Sequence, residues 1–226
     1  MQNFNFNDVD FNLSYNNFNP EDIQVDETVN AVLVVDVSPS VAGYINELNH
    51  ALNDFTTAMQ QSHIADRLLV SVVEFCEKVK VKSGFQPVAQ LPSFLFKPTG
   101  GGTALYDAAL QGLKMALDYR NNLEASGVNT KTLLFIITDG EDNSSVHGAG
   151  EVKNTLQQVL ANERNAFSFV SVLFGVGNAA SFGLAQREMG IQHLAKVGTS
   201  GAEIKRMIGF ISRSVSSAAA NAPITF

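Results

Sequence analysis

The chain has 226 residues, 45% of them apolar and 16% charged, which excludes wholesale disorder and suits one large domain or two small ones. Its 22 acids against 15 bases leave a net charge of −7, without the clustered Lys and Arg that phosphate contacts need, so nucleic acid is not an expected partner. Apolar runs such as Thr132 to Thr138 and Phe167 to Val176 fall short of the roughly 18–20 residues a membrane helix requires, so no membrane partner is expected.

Residues 1–30 read as an acidic arm, with eight Asn, six acids, four Phe and no Lys or Arg. The opening MQNFNFNDVD has neither a basic nor an apolar segment of the secretory kind. Together with a single cysteine, Cys76, this makes the cytoplasm the expected location. Cys76 also excludes an internal disulfide and any multi-cysteine metal site. The alternation Phe4-Asn5-Phe6 and Phe11-Asn12-Leu13 suits either a flexible tail or an added edge strand.

From Ala31 the pattern becomes strand–helix alternation. Ala31 to Val35 is a continuous apolar run, as a strand buried on both faces requires. Val41, Tyr44, Ile45, Leu48, Leu52, Phe55 and Met59 then recur at helical spacing. Leu68 to Cys76 predicts a second strand. Val79 to Phe85 alternates like a solvent-facing edge strand. Gln86 to Gly102 is irregular, with three prolines and three successive glycines. Helices are expected over 104–123, 151–162, 180–188 and 201–219, and strands over 131–138, 167–176 and 193–197. This order predicts an α/β fold: a doubly wound, mainly parallel central sheet with one antiparallel edge strand, flanked by helices. The expected layout is an arm at 1–30, a body at 31–220 and a short tail at 221–226.

In such sheets ligands bind at the carboxyl ends of the strands, where crossovers diverge. Three expected loops there carry unusual polar residues. They are Asp36-Val37-Ser38-Pro39-Ser40, Gly100-Gly101-Gly102-Thr103 and Asp139-Gly140-Glu141-Asp142. Two carboxylates and three hydroxyls supply only oxygen, which suits Mg2+, with Mn2+ or Ca2+ as alternatives, and does not suit zinc. The i, i+2, i+4 spacing lets Asp36, Ser38 and Ser40 face one centre. Asp107 reads as helix-dipole complementarity, and Glu141 and Asp142 as solvated groups or tuners of the metal. His147 reads as a surface residue. His50, His63 and His193 show no ligand spacing.

With these motifs the body, about 31–215, resembles a von Willebrand factor type A domain. Asp36, Ser38 and Ser40 match that family's D-x-S-x-S motif. Thr103, in GGGTALYDA, matches its distant threonine, and Asp139, in TDGED, its late aspartate. The resemblance implies a metal-ion-dependent adhesion site built from Asp36, Ser38, Ser40, Thr103 and Asp139. It implies an open coordination position that takes a Glu or Asp from a protein partner. Pro39 and Val41 depart from the family's frequent glycine and methionine without removing a ligand. The ending FISRSVSSAAA resembles stand-alone bacterial A domains of the tellurite-resistance type, which implies a cytoplasmic scaffold in a stress or defence system.

Other functions compete. A subunit serving an AAA-type ATPase in a chelatase-like complex has the same sequence signature. An aspartyl-phosphate phosphotransferase needs a second acid two residues after Asp36, and Ser38 stands there. A P-loop needs a Lys after its glycines, and Thr103-Ala104 follow instead. The expectation is a binding module and not an enzyme.

Overall fold

The computed structural model describes residues 17–161, 168–178 and 180–223. Its strands are β1 (Glu27–Asp36), β2 (Leu68–Phe75), β3 (Val79–Pro87), β4 (Asn129–Thr138), β5 (Phe169–Val176) and β6 (His193–Val197). Its helices are α1 (Ile45–Gln60), α2 (Leu105–Ala125), α3 (Ala149–Leu160), α4 (Phe182–Met189) and α5 (Gly201–Ala219). Among the described residues the sheet order is β3-β2-β1-β4-β5-β6. All neighbours are parallel except β2 and β3, which form an antiparallel hairpin at the edge.

The apolar runs follow from this layering. In β1, Ala31, Leu33 and Val35 face the core shared with α1 and α5. Val32 and Val34 face the other core, shared with α2, α3 and α4. A central strand with helices on both faces has no polar side, which is why its sequence shows no alternation. β3 pairs on one side, and its pattern of half-buried and exposed residues matches the alternation read from sequence.

The body does not begin at Ala31. β1 starts at Glu27, and Thr28, Val29 and Asn30 are buried. The polar side chains of Thr28 and Asn30 end the apolar run, but the backbone continues in register. Thr28 pairs with Thr130 and Asn30 with Thr132, so this end of the sheet is polar on both central strands. The same effect moves the start of β4 to Asn129 from the expected Lys131.

Part of the expected arm is also attached. Phe18 N donates to Phe85 O at 2.6 Å, and Asn17 Oδ1 accepts from Phe85 N at 3.0 Å. The Tyr119 hydroxyl donates to Phe18 O at 2.8 Å, and Pro20–Asp22 form a short 3-10 turn. The edge-strand reading of Phe4 to Leu13 lies outside the described residues, as do the expected helix end at Asn162 and strand start at Phe167.

Elsewhere the first helix splits. Pro39 opens a 3-10 turn, Pro39–Gly43, and α1 proper begins at Ile45. Proline fixes a φ suited to a helical first turn while lacking the N–H. Among the described residues no helix is long and apolar enough to cross a membrane.

A chain begun at Ala31 loses four residues of a central strand and the buried Val29. At about 1 kcal/mol per net hydrogen bond and about 1.5 kcal/mol for the valine, several kcal/mol are at stake. The expected outcome is a thermal midpoint at least about 10 °C below that of a chain begun at Asn17, read by circular dichroism melting.

Candidate metal centre

β1 stands between β2 and β4, and the chain leaves these strands on opposite sides. The crevice at their carboxyl ends is where the five expected residues meet. Asp36 closes β1 and is 1% exposed. Its Oδ1 accepts from Ser38 N at 2.8 Å, and its Oδ2 from the Thr138 hydroxyl, the last residue of β4, at 2.6 Å. Ser38 Oγ lies 3.0 Å from Ser40 Oγ, and Ser40 Oγ donates to Asp139 Oδ1 at 2.7 Å. One connected array thus joins Asp36, Ser38, Ser40 and Asp139 across β1 and β4.

Thr103 arrives from a third direction. Its backbone is paired with the loop after β4: Thr103 N donates to Asn143 Oδ1 at 2.8 Å, and Asn143 N to Thr103 O at 3.0 Å. Its hydroxyl borders that loop too, since a Cβ at Gly140 would lie 3.4 Å from Thr103 Oγ1. Two of the preceding glycines have distinct causes. Gly100 has φ +78°, and a side chain there would collide with Cys76 and Glu77. Gly102 allows contact with Ser144, whose Oγ would sit 2.1 Å from an added Cβ. Glu77 holds the turn by accepting from Gly101 N at 2.7 Å, and this N–H keeps its carboxyl below the usual range.

The electrostatics point to a cation. Burial pushes the Asp36 carboxyl above its ordinary value, and the nearby Asp139 pushes it further, against the hydrogen bonds from Thr138 and Ser38. Burial likewise raises Asp139, against the bond from Ser40. Both groups resist ionisation in the metal-free protein, and a divalent ion between them would remove that resistance. The donors are all oxygen, two carboxylates and three hydroxyls, which fits a hard divalent ion. Among the described residues no group of three or more His, Cys, Asp or Glu is placed to hold a metal. Hydroxyl donors are therefore what would complete this site. Ser38, Ser40 and Thr103 would hold the ion, with Asp36 and Asp139 supplying its countercharge.

Around the centre the structure revises the sequence reading. Asp107, 8% exposed, is more than a charge at a helix start. It accepts from Val146 N and His147 N, each at 2.9 Å, and lies 2.7 Å from His147 Nδ1. His147 is therefore not a partnerless surface residue. Ser145 Oγ accepts from Asp107 N at 3.0 Å, so α2 and the loop after β4 are clamped in both directions. Asp142 accepts from Tyr106 N at 3.2 Å and from the Ser145 hydroxyl. Glu141 accepts from Ser181 N at 2.8 Å, at the entry to α4. These acids tie loops together. His50, His63 and His193 do not converge on any metal cluster among the described residues. Cys76 is buried, and burial raises its thiol. Tandem short-range polar residues from Asp142 to His147 were the sequence's signal for the clamp, but their partner Asp107 lies far away in the chain.

A doubly wound sheet with this polar array at its switch point defines a Rossmann-like α/β domain. The chain belongs to the von Willebrand factor type A domain family, whose model matches residues 30–209. None of the curated proteins compared with it matches. Solved structures share the fold. BatB, a conserved hypothetical protein from Bacteroides thetaiotaomicron, is 14% identical with a TM-score of 0.55, covering 85% of this chain and 99% of that one. The pilus adhesin SpaC from Lactobacillus rhamnosus GG, in its open conformation, is 14% identical with a TM-score of 0.58, covering 84% of this chain and 30% of that one. Proximal thread matrix protein 1 from the mussel byssus, with a zinc-occupied metal-ion-dependent adhesion motif, is 14% identical with a TM-score of 0.53, covering 83% and 46%. The chain thus spans under half of the mussel protein and under a third of the adhesin.

Two outcomes are expected. Asp36 and Asp139 have folded-state values above their unfolded ones, so the stability they allow is full below the unfolded value of 3.8 and is lost as pH rises through the folded values. Metal-free protein should therefore melt higher at mildly acidic than at neutral pH, and Asp36→Asn should flatten that difference, in calorimetric scans with EDTA. Separately, Asp107→Ala leaves the Val146 and His147 amides without their acceptor, a loss of about 1–3 kcal/mol. The midpoint should fall by several degrees, and protease should cut within 141–148 sooner.

Proposed function

We propose that this domain is a metal-dependent protein-binding module. A divalent cation, taken to be Mg2+, sits at Asp36, Ser38, Ser40, Thr103 and Asp139 and holds a Glu or Asp of a protein partner. The observation that carries this reading is the continuous array from Asp36 through Ser38 and Ser40 to Asp139, buried at one end and open at the other. Membership in a family of protein-interaction modules supports it.

The chemistry follows from the donor set. Three neutral hydroxyls leave the ion more positive than an all-carboxylate cage would, so it remains a good acceptor for an outside carboxylate. Oxygen donors favour Mg2+ without excluding zinc as the sequence suggested, since the mussel neighbour carries zinc in its motif. Mg2+ is retained as the proposed ion because every donor here is oxygen. Val146, 89% exposed on the loop that Asp107 clamps, offers the partner an apolar contact on the same edge. In the irregular stretch before Thr103, Phe94 and Phe96 are buried and Leu95, 63% exposed, is open to a partner.

The proposal is of a binding module and not an enzyme, since Ser38 stands where a phosphotransferase would place its general acid. Its setting, on the tellurite-resistance likeness of FISRSVSSAAA, is a cytoplasmic scaffold in a bacterial stress or defence system.

The test is affinity capture with the full chain, with and without EDTA. A partner should be retained in Mg2+, released by EDTA and not captured by Thr103→Ala. Substituting one Glu or Asp on that partner should reproduce the loss. Capture that survives EDTA in full would remove the metal from the interface.

A further inference from the structure

Tyr44 reads in the sequence as one apolar position on a helix face, and its ring does lie in the core shared with α1 and α5. Its hydroxyl does not behave as a core group. The residue is 2% exposed, and the phenol oxygen is buried without a well-formed hydrogen bond to any described group. A buried hydroxyl without a partner costs free energy that phenylalanine in the same volume would not. The oxygen is also placed beside two acids. Burial, the charges of Asp139 and Asp36 and the hydroxyl's approach to the Asp139 carboxylate, in that order, hold the phenol above its usual range, so it stays protonated and acts as a donor. The backbone fixes it there, because Tyr44 N donates to Val41 O at 3.0 Å where the 3-10 turn ends and α1 begins.

We propose that Tyr44 is a positioning residue of the metal centre: its phenol O–H donates to the Asp139 carboxylate in the cation-loaded protein and sets the face that carboxylate turns to the ion. This rests on reading the Asp36–Asp139 cluster as a cation site. Ser40 already donates to Asp139 Oδ1, so a second donor would fix the carboxylate against rotation. An outer carboxylate held from two sides is pre-organised, and its partners influence metal affinity almost as its ligands do. The Tyr44 hydroxyl, buried and short of a well-formed hydrogen bond, already faces the Asp139 carboxylate.

The experiment is titration of the full-length protein with Mg2+ and Mn2+ by calorimetry, comparing wild type with Tyr44→Phe. A hydrogen bond to a charged group is lost, so the dissociation constant should rise about tenfold. The metal-free midpoint should hold or rise, which a merely structural tyrosine would not give. A second readout uses composition: the chain has four Tyr and no Trp. Cation binding should give a tyrosine ultraviolet difference spectrum that persists in Tyr106→Phe and vanishes in Tyr44→Phe. If wild type binds the ions and Tyr44→Phe binds them equally well, Tyr44 has no positioning role and the cation site stands. If wild type binds neither ion, both readings fall. Should Tyr44→Phe fail to fold, the wild-type spectrum decides, and its absence overturns the proposal.

Discussion

A carboxylate buried where two parallel strands part is the constraint on which the site depends. Asp36 is at the centre of the sheet, where helices cover both faces and water does not reach. Its charge cannot be left bare there. The fold satisfies it in part with the Ser38 amide and the Thr138 hydroxyl, one from each side of the crevice. The Thr138 bond also joins the ends of β1 and β4, so the same contact that steadies the acid sets the width of the site. Asp139, one residue past Thr138, is then brought near Asp36 by the path of the chain, and the two acids raise one another's cost of ionisation. A polar residue at the end of a buried strand is otherwise a fault in a core, and here it is compensated by the geometry that makes it useful.

The loops around this centre are held by one another more than by solvent-facing turns. Thr103 is fixed through Asn143, Gly102 is free of a side chain so that Ser144 can approach, and Asp107 collects two backbone amides and His147 from the same loop. Each of these contacts joins the start of α2 to the segment after β4. The site is therefore assembled from three chain segments that are rigid together. Rigid placement would suit the proposed metal-dependent binding surface.

Sequence periodicity was enough for the layers, because a strand buried on both faces and an amphipathic helix each leave a distinct pattern. The grouping of Asp36, Ser38, Ser40 and Asp139, with Thr103 in the loop beside them, was legible because three motifs fell in order at three expected strand ends. What was not legible shares one cause: side chains acting on distant backbone. Asp107 and His147 are one cluster in space and two unrelated positions in sequence. Thr28 and Asn30 look like loop residues until β4 supplies Thr130 and Thr132 opposite them. Tyr44 fits its helix pattern, and its hydroxyl becomes informative only when two acids are seen beside it.

The long irregular stretch before Thr103 has a topological explanation. β2 ends at the site edge of the sheet, and the antiparallel β3 carries the chain back to the opposite edge, where Pro87 pairs with Leu69. α2 must nevertheless start at the site edge, so that it can run back and let β4 enter parallel to β1. The chain therefore has to climb the full height of the sheet without a strand partner. It does so along α1, which descends as the segment rises. Gln60 Nε2 donates to Val88 O at 3.1 Å near the bottom. Asn53 then exchanges two bonds with Phe94, at 2.6 and 3.0 Å, and Asn49 two with Phe96, at 2.8 and 2.9 Å. Two asparagine side chains thus stand in for the neighbouring strand, satisfying backbone groups that burial would otherwise leave unpaired. Phe94 and Phe96, whose rings stack with centroids 5.6 Å apart, are buried as the backbone is held. At the top Thr99 N donates to Val37 O at 2.7 Å, within the Asp36–Ser40 loop itself. The hairpin edge of the sheet and the delivery of Thr103 are in this way one problem. A parallel edge strand in place of β3 would have ended beside the site and needed no such segment, and the asparagine pairs on α1 are its structural consequence.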